Sequence, residues 1–138
     1  MSLESPAAAW YSYAVIRIVP RVEREAFINA GVVLFAPARR LLCCRIQLNR
    51  ERLRALDPDV DVEPIERHLA HFEAVCRGAP DGGPIAELPV SERFHWLTAP
   101  RSTIIQPSPI HAGRSADLSA TLDDLFARYV GGARTQRA

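Results

Sequence analysis

Between Ala99 and Gly113 the chain reads APRSTIIQPSPIHAG, its one compact stretch of chemistry-bearing side chains. Arg101 supplies a fixed positive charge with planar donors. Ser102, Thr103, Gln106, Ser108 and His111 add donors and acceptors. On a backbone stiffened by Pro107 and Pro109, such groups could cradle a phosphate, a nucleotide or a carboxylate, with His111 donating or acting as acid or base. Gly113 permits a turn conformation that other residues resist. Arg17 and Asn29 are candidate contributors from neighbouring strands. A plainer reading outweighs the ligand: the same groups would satisfy buried backbone atoms where a strand leaves a sheet.

Elsewhere the candidates are weaker. His68 and His71 stand three apart, a spacing that can offer two metal ligands, but no acidic or cysteine ligand stands at the spacing a zinc motif requires, and no metal site is assigned. Arg39, Arg40, Arg45, Arg50, Arg52 and Arg54 could meet nucleic-acid phosphates. An acidic run, Asp57, Asp59, Asp61, Glu63 and Glu66, follows at once, and no aromatic residue is interleaved to stack bases. Pairing within the fold or between subunits, or plain solvation, is the stronger expectation, and nucleic-acid binding the weaker alternative. Neither Ser102 nor Ser108 lies in a G-x-S-x-G elbow, and there is no P-loop, dinucleotide glycine pattern or metalloprotease helix. Cys43, Cys44 and Cys76 sit in apolar settings that favour packing over reactivity. Catalytic residues are therefore unassigned, and no cofactor is expected.

These residues must be positioned by a chain of 138 residues, 48% apolar, which suits one domain with a single core spanning 10–130 and flexible ends at 1–9 and 133–138. A net charge of +1 gives no global reason to expect nucleic acid or an anionic membrane. Every one of the 17 basic residues is arginine, which with the Ala, Pro and Val richness reads as GC-rich bacterial coding. No membrane-length apolar run and no signal-peptide pattern is present, and the cysteine usage fits a reducing cytoplasm.

Trp10–Val19 is rich in aromatic and β-branched residues and predicts a strand, with Tyr11, Tyr13, Val15 and Arg17 on one face and Ser12, Ala14, Ile16 and Ile18 on the other. Ala30–Phe35 and Leu41–Leu48 predict a hairpin around Pro37–Arg40. Asn49 is placed to cap a helix over 50–56; a second, with Pro64 in its first turn, carries the stripe Ile65, Leu69, Phe72 and Val75 and stops at Gly78. Ser91 is expected to cap a short helix carrying Phe94 and Leu97. Ser102–Gln106 reads as a fourth strand, and Ser115 or Asp117 starts a last helix stopping at Gly131-Gly132. The order β-β-β-α-α-α-β-α predicts an α+β fold, an antiparallel sheet of about four strands with helices packed largely on one face.

With these pieces assembled, the chain resembles a bacterial family catalogued as domain of unknown function 3037. The likeness rests on WYSYAVIRIV (Trp10–Val19), FINAGVVLF (Phe27–Phe35) and, most distinctly, FHWLTAPRSTIIQPSPIHAG (Phe94–Gly113). It implies a small cytoplasmic bacterial protein with no established activity. It also implies a protein partner, because members occur beside genes for a kinase-like protein of the HipA type. The leading expectation is thus a non-catalytic interaction or accessory module. A binder or enzyme acting on an anionic ligand at 101–113 is the alternative. Self-association stays open.

Overall fold

The aromatic and β-branched run near the start extends as β1, Ala9–Ile18. In the computed structural model, which describes residues 7–24 and 26–131, β1 is the hub of a five-stranded antiparallel sheet. On one side it pairs with β2 (Ile28–Ala36), which pairs in turn with β3 (Leu41–Ile46). On its other side lie both β4 (Ile105–Pro107) and β5 (His111–Ser115). Of the ends expected to be flexible, 1–9 and 133–138, residues 1–6 and 133–138 lie outside the described residues, as does the helix stop Gly132, while Ala9 is already buried in the sheet.

Four helices complete the α+β architecture: α1 (Arg50–Leu56), α2 (Val62–Arg77), α3 (Val90–Thr98) and α4 (Leu118–Tyr129). Asn49 caps α1 by accepting from the Arg52 N–H at 3.0 Å, and Asp117 caps α4 by accepting from Ala120 at 3.0 Å. Gly78 ends α2 in the left-handed region, at φ 70°, where its N–H reaches the carbonyls of Ala74 and Val75. Ser91 is not a cap. Pro89 holds the N-cap position of α3 and Ser91 falls inside the first turn, because proline's fixed φ suits the entry to a helix.

Strand alternation sorts the core into two layers. Ala14, Ile16 and Ile18 of β1 and Val33 of β2 pack against Leu53 of α1, Ile65, Leu69 and Phe72 of α2, and Phe94 and Leu97 of α3. Tyr13, Val32 and Leu34 face the other way and meet Leu118, Leu125 and Phe126 of α4. Three helices therefore cover one face, as expected, and the fourth covers the opposite face.

The stretch from Ser102 to Ser115 departs from expectation in three ways. The strand starts at Ile105 rather than Ser102, and it is followed by a second strand, β5, that the composition HAGRS concealed. Together β4 and β5 run along β1 as one interrupted strand: Ile16 pairs with Pro107 and Tyr13 with His111, so three residues, 108–110, oppose two. Ser108 bridges this bulge. Its N–H donates to the Val15 carbonyl at 2.8 Å, and its Oγ accepts from the Val15 N–H at 2.8 Å, where the chain turns into Pro109, which has no N–H to give. Gly113 makes no turn. It lies within β5 opposite Tyr11, and a Cβ there would stand 2.5 Å from the Tyr11 Oη, so glycine leaves room for the ring.

Candidate functional site

Pro100 follows the end of α3, and the chain folds back so that Arg101 reaches the helix it has just left. Its Nη1 donates to the Leu97 carbonyl at 3.1 Å and its Nη2 to the Trp96 carbonyl at 2.6 Å, satisfying two of the carbonyls a helix C-terminus leaves open. The guanidinium lies over the Trp96 ring, 4.6 Å from its centroid, with Phe72 of α2 behind at 5.9 Å. Half-burial lowers the pKa of Arg101 from its usual value, yet none of the ion pairs among the described residues includes it. Among the described residues no carboxylate partners this partly desolvated guanidinium.

That guanidinium forms part of the wall of a 390 Å³ cavity between α2, α3 and the approach to β4. His68, His71 and Phe72 come from α2, Trp96 from α3, and Arg101, Thr103, Ile104 and Ile105 from the connection and the first residue of β4. The lining mixes apolar surface with four nitrogen-bearing side chains, His68, His71, Trp96 and Arg101, and includes no acid among the described residues. His71 Nε2 donates to the Gly82 carbonyl at 3.1 Å, which fixes the tautomer of the neutral ring and its edge-on approach to Trp96 at 5.9 Å. Thr103 Oγ1 donates to the Ile105 carbonyl at 3.1 Å. His68 and His71 do share a site, but among the described residues no three His, Cys, Asp or Glu side chains converge as metal ligands.

The residues nominated from the sequence divide between the faces of the sheet. Arg101 and Thr103 line the cavity; Ser102 is exposed and does not. Ser108 is 4% exposed and held by the β1 ladder. His111 pairs with Tyr13 and packs against its ring at 5.3 Å, on the α4 face. Arg17, Asn29 and Gln106 form one cross-strand row on that same face. Asn29 Nδ2 donates to the Tyr129 carbonyl at 2.9 Å, Gln106 Nε2 donates to Thr103 at 2.9 Å, and the Arg17 guanidinium covers Phe27 at 4.4 Å. Arg101 and His111 therefore belong to opposite sides of the sheet and do not share a pocket. The cavity instead recruits Trp96, Phe72 and the two histidines. Their signal was present in the 94–113 run and in the three-residue histidine spacing, but nothing in the sequence joined them.

The arginine cluster is dispersed along the turn at 37–40, β3 and α1. Arg50 forms a two-pronged pair with Glu66 at 2.8 and 2.7 Å, Arg45 donates to Asp123 at 2.9 Å, and Arg39 donates to the Ala7 carbonyl at 2.7 Å. Arg52 and Arg54 are exposed on α1, and Arg40 is exposed beside the turn. Cys43 and Cys76 make poor nucleophiles. Burial pushes the Cys43 thiol up to about 11, while hydrogen bonding to Cys44 and burial also raise the Cys76 thiol. No helix among the described residues is long and apolar enough to cross a membrane.

A family model described as "Protein of unknown function (DUF3037)" matches residues 13–130. No curated protein and no solved structure matches the chain.

Proposed function

The chain belongs to the DUF3037 family of proteins of unknown function, and we propose that it is a binding module whose cavity takes a small organic anion. The ligand class is a carboxylate or phosphate carried on an apolar, ring-sized body. One observation carries this reading: Arg101 is a half-buried cation with no carboxylate partner among the described residues, on the wall of a cavity whose apolar lining is Trp96, Phe72, Ile104 and Ile105. Two of its five N–H groups are engaged by α3, leaving donors for a charge-assisted bond to an anion. The aromatic stack and the helix carbonyls already hold the fork in place, so little side-chain freedom is lost on binding. His68, exposed at the rim, adds a polar contact.

This is a reading of recognition rather than of chemistry, since it needs no nucleophile. A protein partner, including the kinase-like one implied by the family resemblance, belongs to the same proposal as the receiver of the ligand-bound form. Thermal unfolding in the presence of benzoate, adenosine monophosphate or inorganic phosphate tests the ligand. A ligand at a hundred times its Kd adds about 2.7 kcal/mol of stability. Benzoate or the nucleotide should raise Tm, and His68→Ala should reduce the rise, whereas phosphate alone should act weakly. If none of the three moves Tm, the proposal fails.

A further inference from the structure

We infer that the opposite end of α3 carries a separate docking surface for an acidic peptide segment with a large apolar side chain, presented by a partner protein. A 500 Å³ groove lies there, between the N-terminal turn of α3 and the turn joining β2 to β3. Phe35, Pro37 and Val90 give it apolar walls, Arg40 and Arg93 give it charge, and no acidic residue among those described lines it. Phe35 pairs with Ser12, and two residues earlier on the same face of β1 stands Trp10, 61% exposed. Across the ladder from Trp10, the Arg114 guanidinium lies 5.3 Å from its ring. Ile110, 50% exposed, precedes β5 along this edge.

Charge complementarity names the occupant. None of the ion pairs among the described residues includes Arg40, Arg93 or Arg114. Arg93 donates to the Leu88 carbonyl at 2.6 Å, but its buried Nε has no hydrogen-bond partner among the described residues. Arg40 is the one described non-glycine residue at positive φ, 48°, a conformation that sets it at the mouth of the groove beyond the 37–39 turn. An exposed tryptophan flanked by arginines is the composition enriched at the energetic centres of protein interfaces. Carboxylates would answer the three guanidiniums, and an aromatic or aliphatic side chain would fill the groove. This surface shares no lining residue with the Arg101 cavity and stands whether or not that cavity binds an anion.

The test is selection of random twelve-residue peptides on the full chain, followed by titration of the enriched sequences. Enriched peptides should carry two or more Asp or Glu around a Phe, Leu or Trp. Their affinity should fall about tenfold in Trp10→Ala and in Arg40→Asn, which tolerates the left-handed backbone. Affinity should hold in the exposed control Arg67→Glu and weaken with rising salt. In Trp96→Phe, which leaves Trp10 as the single tryptophan, peptide binding should shift the emission to the blue. No enrichment, enrichment of neutral or basic peptides, or unchanged affinity in both groove variants would overturn the inference. So would a homodimer that Arg40→Asn disperses, since the occupant would then be a second copy.

Discussion

Ser108 looked like a candidate ligand group and is a backbone surrogate. Its hydroxyl takes the Val15 N–H that a regular strand would have bonded by carbonyl. Ser108→Ala leaves that buried donor without a partner, which costs about 1–3 kcal/mol. Urea unfolding should register the loss as a lower midpoint at unchanged m-value. Nothing in the residue types announces this role, because it depends on a one-residue mismatch between β1 and the β4–β5 edge. Tyr13 gives a second prediction at this scale. Burial, reinforced by its hydroxyl contact with Tyr129 at 3.0 Å, pushes its phenol up to about 12. The folded chain therefore holds this proton more tightly than the unfolded chain, whose tyrosine titrates near 10. The resulting stability is full below pH 10 and is lost as pH rises from about 10 to about 12. Stability measured across that window should fall more steeply in the wild type than in Tyr13→Phe.

Elements with strong internal pattern were legible and those held by their neighbours were not. The stripe of α2, the Asn49 and Gly78 caps and the β1 alternation follow from spacing alone. The strand β5 does not, since His-Ala-Gly-Arg-Ser has no β-branched or bulky apolar residue, and pairing with β1 imposes its conformation. Likewise α3 is poorly marked at its start and closed at its end by a residue beyond it, Arg101. Arg101→Ala should therefore destabilise the fold by about 1–3 kcal/mol, through two lost charge-assisted bonds and the exposed Trp96 face. Arg101→Lys should recover only part, because a point charge cannot span both carbonyls. Chemical denaturation of the three proteins checks the ranking.

Across the whole molecule, the sheet separates the polar residues that the sequence placed in one segment. Arg101 and Thr103 serve the α2–α3 side, while Arg17, Asn29, Gln106 and His111 serve the α4 side. The α+β class was readable from element order; which face each loop residue joins was not, since one bulged residue reverses the alternation. What the fold assembles instead is a cationic, aromatic cavity at one end of α3. Arg101 is at once the cap of that helix and the charge of the cavity. The most direct measurement is NMR of the isotope-labelled chain during titration with benzoate and with adenosine monophosphate. The binding account predicts saturable shifts of the Arg101 Nε–H and the Trp96 indole N–H with at least one of the two. Static resonances at both groups, or shifts confined to Arg17, Asn29 and Gln106 on the other face, would contradict it.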